Sequence, residues 1–166
     1  MVKTITLKPF CRKQELREVL DAKSLKKAFP LIFSKDASIH QMIVELEKMS
    51  SMTNYIVLSV FNLYNILIGV IVIERKKEKA ILHYALGNYY KKDTYQVIKT
   101  AIQYLQDNHS FDSIEIEQEE KIQTKNKRVE NSFLENPALN FKKRFVRTSK
   151  KNRKTIIFSK SLKKAT

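Results

Sequence analysis

The spacing of apolar residues along the chain switches between strand and helix periods, and each switch marks an element. Thr4–Lys8 alternates apolar and polar residues, as a half-buried strand does, and Pro9 ends it. Lys13–Leu20 groups Leu16, Val19 and Leu20 on one side of a helix. Ser24–Phe29 predicts a short second helix that Pro30 stops. Ser38-Ile39-His40-Gln41 has the form of a capping box. Behind it, Ile39, Met42, Ile43, Leu46 and Met49 recur at helical spacing.

The middle of the chain is β-rich. Thr53–Phe61 is one strand, and Asn62–Asn65 is a turn in which Asn tolerates left-handed backbone. Ile66–Ile73 is apolar on both faces, so it should be a covered central strand. Glu74–Lys79 is a charged hairpin turn leading into a strand at Ala80–Leu86. Short connections make these three strands antiparallel. Gly87–Thr94 then reads as a loop, and Tyr95–Asn108 as a helix that repeats apolar residues at Val97, Ile98, Ala101, Ile102, Tyr104 and Leu105. Ser113–Glu117 alternates strictly and predicts a strand parallel to 80–86, because a helix connects the two. Thr124–Glu135 predicts a further helix, broken at Asn136-Pro137, and Phe141–Arg147 with Lys154–Phe158 a terminal hairpin. The outline is β-α-α-β-β-β-α-β-α-β-β in one α+β domain. Its sheet is mostly antiparallel and twisted, with one parallel pair and helices on both faces.

One passage carries chemistry. A strand that runs through a basic loop into a helix N-terminus presents backbone N–H groups and the positive end of a dipole, which favours an anionic group such as a phosphate. Residues 80–108 have that layout.

Composition narrows the classes. The 166 residues are 43% hydrophobic, enough for a packed core and too much for wholesale disorder. The longest apolar run, Ile66–Ile73, is too short to span a bilayer, and the N-terminus lacks a signal-peptide core, so a cytoplasmic protein is expected. Cys11 is the single cysteine, and His40, His83 and His109 show no ligand spacing, so no metal site is expected. The net charge is +15, unevenly placed: residues 136–166 hold eleven Lys or Arg and no acid, leaving 21 basic and 17 acidic groups, a net of +4, in residues 1–135. Residues 142–154 therefore read either as a contact for nucleic acid or the ribosome, or as a lysine-rich sheet edge that resists aggregation. Residues 161–166 read as a basic tail.

The element order resembles the GCN5-related N-acetyltransferase (GNAT) family, closest in flavour to the ribosomal-protein-type enzymes. In that family the strand before the loop often ends in Tyr-x-Leu, and Tyr-Arg-Gly-x-Gly-Tyr opens the next helix. Here Tyr84-Ala85-Leu86 matches the first, and Tyr90-Lys91-Lys92-Asp93-Thr94-Tyr95 stands where the second belongs. Asn126-Lys127-Arg128-Val129 occupies the place of an Asn-rich start to the later helix, and Asn140-Phe141 that of a Gly-Phe before the last hairpin. The resemblance spans residues 3–160 by element order and about 30 residues by motif, implying a GNAT-like acyltransferase domain over residues 1–160.

The resemblance implies acetyl transfer from acetyl-coenzyme A (acetyl-CoA) to an amine on a protein or small molecule. It implies that Tyr84, Leu86, Lys91, Lys92, Asp93, Thr94, Tyr95 and Asn126 hold the cofactor. The loop is degenerate: Lys92 and Thr94 replace the two glycines that let backbone approach the pyrophosphate, and glycine positions that need positive φ are costly for other residues. Lys91 and Lys92 can compensate by charge, and Thr94 through its hydroxyl. A protonated amine needs a base. Glu115 or Glu117, on the face of their strand opposite Ile114 and Ile116, fits that role, and each also reads as a solvated strand face. His83 is an alternative base, more simply read as a structural hydrogen-bonding group. Ser132 is the hydroxyl placed to protonate the leaving thiolate, or an exposed helix serine. The competing reading keeps the scaffold without catalysis and assigns the basic hairpin to a nucleic acid or an acidic partner.

Overall fold

The computed structural model describes residues 5–29, 33, 36–121, 139–149 and 153–162. The expected helix at 124–135, with Asn126 and Ser132, lies outside the described residues.

Strand β1 (Ile5–Pro9) is followed by helices α1 (Lys13–Val19), α2 (Ala22–Ala28) and α3 (Ile39–Ser50). Three helices precede the central strands, as the apolar spacing predicts although the outline counts two; Leu20-Asp21 separates α1 from α2, and Asp21 caps α2 by accepting from the Ser24 amide. The capping box forms as expected. Ser38 Oγ accepts from the Gln41 amide at 3.2 Å, and Gln41 Oε1 accepts from the Ser38 amide at 2.8 Å. Strands β2 (Tyr55–Asn62), β3 (Leu67–Lys76) and β4 (Lys79–Leu86) form the antiparallel meander. The charged hairpin turn is shorter than expected. Only Lys77 and Glu78 lie between the strands, with Lys77 at φ 53°, and Glu74 is a strand residue. Helix α4 (Thr94–Asn108) crosses over to β5 (Ser113–Lys121), and β6 (Lys142–Ser149) with β7 (Arg153–Ser161) completes the sheet.

The seven strands stand in the order β1-β2-β3-β4-β5-β7-β6, and β4–β5 is the parallel pair. This is the expected α+β sheet. β7 is interior and β6 is an edge. β7 carries through Ser161, and Leu162 beyond it is buried.

Two cores flank the sheet. On one side Val97, Ile98, Ala101, Ile102 and Leu105 of α4 pack on Leu58, Ile71, Ile73, Leu82, Ile114 and Ile116. On the other, Leu16, Leu25, Phe29, Met42 and Leu46 of α1–α3 pack on Val57, Phe61, Val70, Val72 and Ala85. β3 feeds both cores through alternate residues, which explains a strand apolar on both faces. Each large side chain removed from water here contributes roughly 2 kcal/mol. No helix among the described residues is long and apolar enough to cross a membrane.

Candidate active site

The parallel pair is short. β4 and β5 share four rungs, from Lys79–Ser113 to Leu82–Ile116. β4 continues along β3 to Leu86, and β5 continues along β7 to Lys121. From His83 onward β4 therefore has a strand neighbour on one side only, and its β5-facing margin carries no ladder partner. A strand margin without a partner presents N–H and C=O groups that an extended ligand can pair with.

The β4–α4 connection is not a loop but a 3₁₀ turn, Asn88–Asp93. Its amides are partly committed: Tyr90 donates to Gly87 O at 2.8 Å, and Thr94 donates to Lys91 O. The Thr94 hydroxyl also donates to Lys91 O, at 2.5 Å, so its hydrogen is already used. Helix α4 begins with Asp93 as N-cap, and that side chain makes no capping bond. The first turn of a helix carries N–H groups without intrahelical partners and a partial positive charge. Lys91 and Lys92 are exposed beside it, and Asp93 is half-buried.

The two substituted glycine positions carry no backbone strain. Thr94 has φ −53° and ψ −44°, and Lys92 is absent from the residues with positive φ. This turn runs through conformations open to any residue, which removes the conformational objection to Lys92 and Thr94. Asn140, the other glycine replacement, does take φ 57°, a region Asn tolerates.

The predicted residues divide between the two faces. Tyr84, Tyr90 and Tyr95 pack against the α4 core, and Leu86 is 5% exposed within it. Tyr89, in the same connection, is 90% exposed. Glu115 and Glu117 lie on the opposite face from Ile114 and Ile116, as alternation requires. Glu115 is largely buried and ion-paired with Lys79 at 2.8 Å, whereas Glu117 is exposed.

His83 sits on the α1–α3 face as the first residue past the last β4–β5 rung. Phe29 of α2 meets its ring edge-on at 6.0 Å. Its Nε2 is buried and has no hydrogen-bond partner, although the Glu74 carboxylate stands 3.8 Å away. Burial holds its pKa below the ordinary imidazole value, while Glu74 and Glu117 pull it back up. The sequence signal was available in the hairpin. A two-residue turn at Lys77-Glu78 pairs Val72 with His83 and puts Glu74 on the same face of the sheet.

An open groove of about 650 Å³ runs along the outer side of α3 between Phe33, His40, Val44, Glu45 and Lys48. It includes no residue of β4, β5 or the 3₁₀ turn.

No protein-family model and no curated protein matches the chain. Solved structures do. A spermidine N-acetyltransferase from Vibrio cholerae, in complex with CoA and spermine, aligns over 96% of this chain and 96% of its own, with a TM-score of 0.68 at 11% identity. A GCN5-related N-acetyltransferase from Brucella melitensis aligns over 96% of this chain and 76% of its own, with a TM-score of 0.66 at 16% identity. A ribosomal-protein alanine N-acetyltransferase from Escherichia coli aligns over 98% and 96%, with a TM-score of 0.61 at 12% identity. At these identities the likeness is one of fold.

Proposed function

We propose that this chain, which has the GCN5-related N-acetyltransferase fold, transfers an acetyl group from acetyl-CoA to an amine-bearing acceptor. The observation that carries the reading is the opening of β4 away from β5 after four rungs, beside a helix N-terminus that its own N-cap leaves unbonded. A zipped parallel pair would leave no room for a thioester in the sheet.

The residues suit a diphosphate. The first-turn amides of α4 beyond Thr94, with Lys91 and Lys92, supply donors and positive charge. The margin of β4 at 83–86 offers backbone groups to an extended amide chain. Asp93 is the group that opposes binding. Bound acetyl-CoA supplies the activated acyl group, and the chain's own task is to orient it and to take the amine's proton. The carboxylates of Glu74 and Glu117 both act on His83 at the start of the opening, where their charge favours a cationic acceptor. Because acetyl-CoA is an intracellular metabolite, the reading places the reaction in the cytoplasm.

Calorimetric titration with acetyl-CoA tests this directly. One-to-one binding is expected, with a melting temperature raised by roughly 5–10 °C at a hundredfold excess over Kd. Absence of both heat and thermal shift at millimolar acetyl-CoA removes the proposal.

A further inference from the structure

His83 Nε2 is the one buried side-chain polar atom among the described residues that lacks a hydrogen-bond partner, while the His83 side chain as a whole is 17% exposed. Unpaired buried polar atoms are uncommon in folded proteins, and one placed at a functional opening calls for an explanation. A histidine kept only for structure would be expected to bond its ring nitrogen. This one stops beyond hydrogen-bond reach of Glu74 and stands at the first residue where β4 leaves β5.

We propose that His83 is the group that takes the proton from the acceptor amine, with Glu74 and Glu117 positioned to stabilise the imidazolium that results. The proposal rests on the acetyl-transfer reading above.

The chemistry is consistent with the surroundings on every side. Glu74 faces the ring from β3, and Glu117 acts on it from β5. Glu115, also on β5, is held in an ion pair with Lys79 of β4 at 2.8 Å. α2 contributes the apolar ring of Phe29, which keeps the imidazole neutral until a proton arrives. A neutral imidazole at neutral pH has a free lone pair to accept an ammonium proton, and both carboxylates strengthen its hold on that proton.

The step balances without a further reagent. An ammonium group transfers one proton to His83, which leaves a free amine lone pair. That lone pair forms the N–C bond to the acetyl carbonyl carbon as the C–S bond breaks. The departing thiolate takes the second amine proton and leaves as a thiol. His83 returns its proton to solvent.

The test needs no knowledge of the acceptor. Bromoacetyl-CoA carries an electrophilic carbon where the acetyl methyl would sit. A neutral imidazole within reach displaces bromide and becomes alkylated. The labelled residue is read by peptide mass spectrometry, and acetyl-CoA binding is measured in parallel by calorimetry. The expected result is a single adduct on His83, suppressed by acetyl-CoA. Its labelling rate should rise with pH through a midpoint below the ordinary value of 6.5. Glu74→Gln removes a charge that raises the imidazole pKa, so it should move that midpoint lower still. His83→Gln should bind acetyl-CoA within about twofold of the parent and escape labelling. Bound reagent that labels another residue, or none, overturns the role of His83. So does labelling whose midpoint ignores Glu74. Failure of both acetyl-CoA and its bromo analogue to bind overturns the acetyl-transfer reading itself, a distinguishable outcome.

Discussion

At Lys92 and Thr94 the side chains themselves are not the obstacle that the loss of glycine suggests. Positive φ would have made them strained, and the 3₁₀ turn avoids it. What distinguishes this corner is charge. Asp93 adds an anion at the helix start, against Lys91 and Lys92. Asp93→Asn is expected to tighten acetyl-CoA binding by roughly three- to tenfold, and Lys92→Ala to weaken it by a similar factor. Both effects should shrink at high salt, and calorimetry at two ionic strengths measures them. Lys91 is the less informative target, because it also acts on the Asp21 carboxylate, which the Ser24 amide chiefly holds below its ordinary pKa. Elsewhere, Asn140 shows a residue type read correctly from sequence: φ 57° is tolerable for Asn and costly for a branched or plain Cβ. Asn140→Ala should lose about 1 kcal/mol in chemical denaturation, and Asn140→Gly should lose nothing.

At the level of elements, β3 is the most constrained piece of the chain. Gly69 faces Leu86 across the β3–β4 ladder, and a Cβ added there would lie 2.2 Å from the Ala85 carbonyl oxygen. Backbone cannot yield as a side-chain tip does. Gly69→Ala should therefore destabilise the protein by about 3 kcal/mol, read as a lower denaturant midpoint with an unchanged slope. Because Gly69 sits opposite the last residues of β4, the same change should also weaken acetyl-CoA binding. Most elements were legible because their periodicity was uninterrupted: the α3 capping box, the two-faced β3, the α4 stripe and the alternation of β5. The misreadings share a cause. Glu74–Lys79 and Gly87–Thr94 are polar runs, and polarity alone does not separate a strand end or a 3₁₀ turn from a loop. Glu74 was hidden in the first of these, and only a two-residue turn at Lys77-Glu78 brings it to the same face as His83.

Across the whole molecule, the sheet is two well-paired blocks, β1–β4 and β5–β7–β6, stitched by four rungs and by α4. The meander, the parallel pair and the terminal hairpin were readable from element order, whereas the places of β1 beside β2 and of β7 beside β5 come from the structure. The opening between the blocks was not readable, because it depends on where pairing stops, which no residue type announces. The same opening leaves His83 half-buried yet uncharged, with consequences for stability. Its folded pKa lies below 6.5, so the unfolded chain binds the proton more readily, and His109 is shifted in the same direction by burial and by Arg75. Stability is then complete above about pH 6.5 and declines as pH falls through the folded values. Thermal melts should drop between about pH 7 and about pH 5, and His83→Gln should flatten part of that drop. At the far margin, β6 forms an outer strand that carries Lys142 and Lys143 exposed. Replacing both with Thr should increase self-association in light scattering, since charged edges discourage strand addition. The brevity of the parallel ladder also gives the protein a built-in isotope gauge. Amides of residues 83–86 that point away from β3 are flanked by core yet lack a strand to protect them, so they should take up deuterium faster than any others in β3 or β4. A compound that seats itself along that seam should slow precisely those few protons, reporting its position without any assay of turnover.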